Sequence, residues 1–336
     1  MLTSAQVKAE ARKLGFDLCG IARARALDRA PFEAWLANGW HAALSYMRER
    51  LDERVDPRVL LPGAQSVIVV AASYGPTQPE PALPDGELLV ARYARNRDYH
   101  NVLLKKARKL AAWLRRAGGE AYCAVDTGAV AEKPWAQEAG LGWIGRNGLL
   151  IHQEFGSWLL LGALVTTHVL DPDAPHPERC GDCRACIPAC PTDAIRDGRF
   201  IDSRACIAFH TIEHRDPLPR EIAKAQGPRV FGCDLCQDVC PWNRKARPGT
   251  LVQLRARREQ TSLPIADVLT LTEASCTERF QGTPLMRTGR EGLVRTALGV
   301  VELSNTPSLR PIVEALTTDT SEAIRAEAQR VLQTEN

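Results

Sequence analysis

The feature that most constrains this chain is Cys180-x2-Cys183-x2-Cys186-x3-Cys190-Pro191, in which three thiols recur every third residue and a fourth precedes a proline. That spacing is the bacterial ferredoxin pattern: three close thiolates each hold one iron of a cubane, and the fourth crosses to a second cubane. A second set, Cys233-x2-Cys236-x3-Cys240-Pro241, is one thiol short of a full run. Cys206 is the remaining cysteine of the region and brings the count to eight. The crossing rule then assigns Cys180, Cys183, Cys186 and Cys240 to one [4Fe-4S] cluster, and Cys190, Cys206, Cys233 and Cys236 to the other. Paired C-x-x-C units also make zinc sites, but zinc pairs normally stand apart instead of running on into a third and fourth thiol. Cys19, Cys123 and Cys276 lie outside the region and are expected to be buried thiols acting as small hydrophobes.

Thiols gathered in this way fit a reducing compartment. The N-terminus supports that reading, because Met1 to Phe16 interleaves Lys8, Glu10, Arg12 and Lys13 with apolar positions, as an amphipathic helix does and a signal peptide does not. The most apolar stretches, Ser66 to Ser73 and Trp158 to Val169, are shorter than the roughly 20 residues that span a bilayer. A soluble cytoplasmic protein is expected. A net charge of +3 does not by itself indicate a nucleic-acid partner, so any such surface has to be local.

At 336 residues the chain should form two or three domains. Its first half alternates strand and helix: Ser66 to Ser73 reads as a buried strand, His100 to Ala117 as a helix with Leu103, Leu104, Ala107, Leu110, Ala111 and Leu114 at helical spacing, and Ala121 to Val125 as another strand. The prolines of Asp171-Pro172-Asp173-Ala174-Pro175-His176-Pro177 read as a linker. After Pro248 the pattern is helical, and Gly292-Leu293-Val294-Arg295-Thr296-Ala297 is echoed by Glu322-Ala323-Ile324-Arg325-Ala326-Glu327, as in a short HEAT-like stack. The division expected is 1–172, a cysteine-organised unit 173–248 and a helical unit 249–336.

The segment Gly140-Leu141-Gly142-Trp143-Ile144-Gly145-Arg146-Asn147-Gly148 lacks the Gly-Lys-Ser/Thr ending of a P-loop and the strand-then-helix context of a dinucleotide fingerprint. It reads either as a multi-glycine turn or as backbone brought close to a flat ligand. Around it stand Arg92-Tyr93-Ala94-Arg95-Asn96-Arg97-Asp98-Tyr99-His100, Asp126-Thr127-Gly128, Glu132-Lys133-Pro134-Trp135-Ala136, Thr211-Ile212-Glu213-His214 and the Gly232 to Asn243 segment. Together these motifs resemble the epoxyqueuosine reductase family over nearly the whole chain.

That resemblance implies an α+β protein: a nitroreductase-like cobalamin-binding domain, a bacterial 2x[4Fe-4S] ferredoxin-like domain and a C-terminal HEAT-like helical domain. It implies a cobalamin-dependent oxidoreductase that completes queuosine at the wobble position of tRNA with a G-U-N anticodon. It also implies a low-potential donor such as a flavodoxin or ferredoxin, no membrane partner, and a monomer. No D-x-H-x-x-G cobalamin motif occurs, since Asp98-x-His100 runs on to Leu103, which agrees with a family whose corrin has no lower histidine ligand. The resemblance places Arg54, Tyr93, Asp126, Trp143, Ile144, Gly145 and Asn147 near the corrin, and Asp126 as proton donor. Desolvation between corrin and substrate would then raise the Asp126 pKa.

Two alternatives accompany this reading: a cobalamin and iron-sulfur reductive dehalogenase, which usually carries an export signal, and a non-catalytic cobalamin-handling or electron-transfer protein. A simple carrier needs neither the N-terminal half nor the helical end. For tRNA, the local basic excess is Arg244, Lys245, Arg247, Arg255, Arg257 and Arg258, joined by Arg287, Arg290 and Arg295.

Overall fold

The computed structural model describes residues 2–196, 199–257, 260–304 and 307–334. Arg258 lies outside the described residues. An antiparallel four-stranded sheet, ordered Leu18–Arg23, Ser66–Ser73, Leu159–Thr166, Ala121–Ala124, organises the first half. Ser66–Ser73 is buried at every position, which explains its unbroken apolar run: both faces of the strand are covered. Ile68 and Val70 pack with Leu103, Leu110 and Leu114 of the helix Tyr99–Arg116 and with Val7 and Ala11 of the helix Ser4–Lys13. Val67, Val69 and Ala71 point the other way, against Trp135 and Ala136 of the helix Glu132–Glu138. The first two of these helices start where a side chain meets their free amides. Thr3 and Gln6 form a capping box for Ser4–Lys13, and Asp98 accepts from the His100 amide at the start of the long helix.

A second sheet joins distant parts of the chain. Glu87–Val90 pairs in parallel with Arg229–Phe231 on one side and antiparallel with Ser262–Pro264 on the other, so each of the three expected segments contributes a strand. Leu88 and Val90 share one core with Phe231, Leu263, Leu293 and Ile324. Leu251 and Leu254, beyond the expected boundary at 248, pack in the core of the four-stranded sheet. The proline-rich linker is also tied down, because Asp173 accepts from the Ile21 amide at 2.9 Å and from Lys8 Nζ at 2.5 Å.

The echoed segments lie on the helices Gly289–Ser304 and Glu322–Thr334, which pack on each other. Among the described residues no helix is long and apolar enough to cross a membrane. Two arginines expected on a basic surface are elsewhere. Arg290 pairs with Asp319 with both side chains 10% exposed, and Arg295 is 1% exposed. Arg295 donates to the Asp216 carbonyl at 2.7 Å and the His210 carbonyl at 2.6 Å, clamping the helical unit to the cysteine-bearing one. A helical repeat pattern distinguishes apolar from polar positions but cannot show that a polar one faces another part of the same chain.

Replacing Arg295 by Met leaves both carbonyls unpaired in a buried interface, which should cost on the order of 3 kcal/mol. The expected result is a clearly lowered denaturation midpoint, whereas an unchanged midpoint would remove Arg295 from the clamp.

Candidate active site

The eight clustered thiols are gathered into two groups. Cys180, Cys183, Cys186 and Cys240 surround one small cavity together with Arg146, Asn147 and Trp242. Arg146 shapes that loop by donating from Nε to the Cys183 carbonyl at 3.0 Å and from Nη2 to the Gly181 carbonyl at 2.9 Å. Cys183 is exposed, so this group lies at the surface. Cys190, Cys206, Cys233 and Cys236 all line a second, much larger cavity of about 930 Å³. Burial pushes the Cys233 thiol up to about 11 and raises Cys206 and Cys236 as well, so in this environment the protons are held until a metal displaces them.

Among the described residues no three His, Cys, Asp or Glu side chains form a group suited to one metal ion. Zinc would need its ligands within roughly 2.3 Å of a single point. The four thiolates of a cubane each bind a different iron, so a cubane does not require its ligands to converge on one point.

Tyr93, Ile144 and Asn147 line the large cavity, whose size is at the upper end of that usual for small-molecule sites. Asn147 also lines the small one. It is 4% exposed and its Nδ2 has no hydrogen-bond partner among the described residues, leaving a buried donor that suits a bound group. Trp143 is not on the large cavity. It is fully buried against Cys180, Cys240 and the edge of Trp242, with ring centroids 4.8 Å apart, behind the first cysteine group. Gly145 also lies off the cavity lining: a Cβ there would stand 2.4 Å from Ile151 Cδ1, so the glycine lets the hairpin close. Arg54 is 8% exposed, with its guanidinium over the Tyr46 ring, and it too is outside the lining. A sequence motif gives proximity along the chain, but it does not say which side chains face the pocket and which support its wall.

Asp126 follows the strand Ala121–Ala124 in the left-handed region, at φ 59°. Its Oδ2 accepts from His100 Nε2 at 2.8 Å, and His100 Nδ1 donates to Asp98 Oδ1 at 2.6 Å. Tyr99, between the two, lines the large cavity. Burial pushes Asp126 up, but the His100 hydrogen bond, the His100 and Arg287 charges and a Tyr99 hydrogen bond outweigh it, and its pKa is lowered. In the protein alone its own hydrogen bonds thus favour the charged form, whereas the rise expected from desolvation between corrin and substrate concerns the loaded site. Burial likewise opposes the charged form of His100, yet its bonds to Asp126 and Asp98 raise it above 6.5. Both shifts favour the charged forms of the two side chains that meet in this hydrogen bond. His100 and Asp98 were legible only as an Asp-x-His pair at a helix start, where the capping aspartate also reaches the ring. Glu132 stands in one of the family-like motifs, but its acceptance from the Asp126 amide at 2.8 Å was not legible, the two being six residues apart around a loop.

Two cysteine groups, one opening into a wide pocket beside a proton-holding pair, define an iron-sulfur oxidoreductase. Residues 179–243 match the profile of the 4Fe-4S double cluster binding domain, and residues 54–127 match that described as epoxyqueuosine reductase QueG, DUF1730. An epoxyqueuosine reductase of Gloeobacter violaceus is 43% identical, covering 88% of this chain and 94% of its own length. Among solved structures, an epoxyqueuosine reductase with a tRNA-Tyr epoxyqueuosine-modified tRNA stem loop is 26% identical with a TM-score of 0.90, covering 98% of this chain and 89% of that one. The enzyme from Streptococcus thermophilus is 26% identical with a TM-score of 0.88 over the same shares. The chain belongs to the epoxyqueuosine reductase family.

Anaerobic reconstitution should load about eight irons per chain, four in each cubane. Cys206→Ser should damage the cluster beside the large cavity and spare the other. Two intact cluster signals in that variant would exclude Cys206 as a ligand.

Proposed function

We propose that the chain reduces epoxyqueuosine to queuosine at the wobble position of tRNA with a G-U-N anticodon. The observation that carries this reading is the large cavity itself, lined by the Cys190 group and Tyr99, with Asp126 and His100 beside Tyr99. Opening an epoxide to an alkene and water consumes two electrons and two protons. When bound, two [4Fe-4S] clusters and cobalamin would supply the two electrons as one-electron carriers. Cys180, Cys183, Cys186 and Cys240 would hold one cluster, and Cys190, Cys206, Cys233 and Cys236 the other. Tyr93, Ile144 and Asn147 would hold the cobalamin, with Asn147 Nδ2 as an unspent donor. Trp143 and Gly145 belong to the hairpin that carries Ile144 and Asn147, whereas Arg54 stands apart over the Tyr46 ring.

Asp126 gives the first proton to the departing oxygen from its carboxyl, and His100 supplies that proton from Nε2. The 2.8 Å bond from His100 Nε2 to Asp126 Oδ2 supports this relay, and the raised His100 and lowered Asp126 pKa values are in keeping with it. Asp126 is half exposed, so solvent can restore the proton and supply the second.

In this reading 1–172 is the catalytic unit, 173–248 the cluster unit and 249–336 the helical unit, and tRNA meets the last two. Arg244, Lys245, Arg247, Arg255, Arg257 and Arg287 are exposed, and the Arg287 charge acts on Asp126. A low-potential flavodoxin or ferredoxin would deliver electrons near exposed Cys183, to a cytoplasmic monomer. The test is anaerobic incubation with reductant, cobalamin and epoxyqueuosine tRNA, followed by nucleoside analysis. Persistence of epoxyqueuosine with all cofactors bound would overturn the reading.

Asp126→Asn should keep clusters and corrin but lose roughly 10²-fold or more in turnover, because an amide cannot pass the proton. For the unaltered enzyme, the charged His100 form is present below its ordinary pKa and is lost as pH rises through the raised one. Turnover should fall on that alkaline side. A variant as active as the unaltered enzyme would return Asp126 to an ordinary turn position.

Reversing Arg244, Lys245 and Arg247 to Glu should weaken tRNA binding and flatten its salt dependence, since fewer phosphates are then neutralised and fewer counterions released. The corrin spectrum should not change. Equal affinity and equal salt slope for the two proteins would place the tRNA on another face.

A further inference from the structure

The proton-bearing pair is held by a loop whose geometry needs an external tie. Asp126 sits at φ 59°, a conformation that L-residues adopt as isolated positions and at some cost. The strand before it ends at Ala124 and the helix after it begins at Glu132, leaving 125–131 to turn between them. Gly128 lies hard against the strand, since a Cβ there would be 2.2 Å from Ala124 Cβ. Ala129 and Val130 are buried, whereas Asp126 and Thr127 are exposed. The exposed end of the loop is therefore the end that carries the acid.

Hydrogen bonds of different reach fix that end. Thr127 N donates to the Val125 carbonyl at 2.7 Å, a bond within the turn itself. His100 Nε2 donates to Asp126 Oδ2, which fixes the carboxylate but leaves the backbone free to rotate behind it. The Asp126 amide is held by Glu132 Oε1 at 2.8 Å, reaching back from the first turn of its helix across the loop.

We propose that Glu132 is a positioning residue for the reaction: its carboxyl oxygen holds the Asp126 amide, and with it the left-handed turn that presents the Asp126 carboxylate to His100 and to the substrate. Burial pushes Glu132 up to about 8, despite the opposing Asp126 amide, so near pH 7 it accepts as a neutral acid. Asp126, Lys133 and His100 face it, as do Arg54 and Tyr99. Neutrality matters there, because a second carboxylate beside Asp126 would compete with it for the His100 charge. A glutamine, equally neutral and nearly the same shape, retains the acceptor. A methionine fills the same space without one.

This inference rests on Asp126 acting in the reduction, but its first readout does not. Hydrogen exchange of the 125–131 segment, measured on the reconstituted enzyme, should show the Asp126 amide protected in the unaltered chain. Glu132→Met should remove that protection and lower kcat by roughly tenfold, the scale of one hydrogen bond, with KM for tRNA, iron content and corrin spectrum unchanged. Glu132→Gln should restore both protection and kcat. Free exchange of the Asp126 amide in the unaltered enzyme would overturn the proposal whether or not Glu132→Met folds. So would a Glu132→Gln variant as impaired as the methionine one, which would make the role one of charge. Intact protection with no epoxyqueuosine turnover in any form would instead count against the proposed reaction and leave the latch standing.

Discussion

The arrangement of the site depends on one short parallel pairing, that of Glu87–Val90 with Arg229–Phe231. Beyond the ends of these strands the chain runs on one side into Tyr93 and on the other into Gly232 and Cys233. Gly232 adopts φ 72°, and a Cβ there would come within 2.6 Å of Ala91 Cβ, so the two backbones can approach only with glycine at that point. The junction is then locked by charge. Asp234 Oδ2 accepts from the Arg92 amide at 2.8 Å, and the Arg92 guanidinium spans Asp234, Asp238 and Glu80. Arg95, 3% exposed, donates to the Val90 carbonyl at 2.6 Å and to Glu80. Burial raises the Asp234 carboxyl, while the Arg92 amide and charge oppose that. Removing the Arg92 side chain would leave the buried Asp234 carboxyl without its cation, a costly change.

That junction divides the Arg92 to His100 motif into two kinds of residue. Arg92 and Arg95 build the scaffold, and Tyr93, packed edge-on to Tyr99 with ring centroids 6.0 Å apart, presents a wall to the pocket. Asp98 and His100 then start the long helix and supply the proton-holding pair. Structural and chemical roles alternate along this one short stretch, and for that reason a family motif covering all of it does not reveal which residue does which.

The legible parts of this molecule were those set by local rules. Thiol spacing grouped the cysteines, helical periodicity found the Leu103 to Leu114 face, and an unbroken apolar run found the central strand. What escaped was decided between distant segments. The strands Arg229–Phe231 and Ser262–Pro264 have three residues each, too few for an alternating pattern to stand out, and they exist because Glu87–Val90 lies between them. Arg295 looked like surface charge because nothing local marks a guanidinium whose partners are the carbonyls of His210 and Asp216. The lowered Asp126 pKa of the protein alone was not legible for a related reason: the His100 bond that outweighs burial comes from another element.

The helix Glu132–Glu138 explains how these distant parts hold one another in register. At its start Glu132 binds the Asp126 amide. One residue on, Lys133 Nζ donates to the Gly148 carbonyl at 2.9 Å, and one turn later Gln137 Oε1 accepts from the Ile144 amide at 3.0 Å. Both bonds hold the hairpin formed by Trp143–Ile144 and Leu150–Ile151. Gly142 lets that hairpin close, since a Cβ would lie 2.1 Å from the Ile151 carbonyl oxygen. Within the glycine segment Gly142 and Gly145 approach Ile151 of the partner strand, while Gly140 approaches Ala174 and Gly148, which also lines the large cavity, approaches Ile201. Because the hairpin carries Trp143 against one cysteine group and Ile144 and Asn147 along the large cavity, a seven-residue helix fixes the proton-bearing loop and the walls of both cavities together. A shift of that helix would move the Asp126 loop and the cavity walls in concert, preserving their mutual geometry where independent loops would lose it.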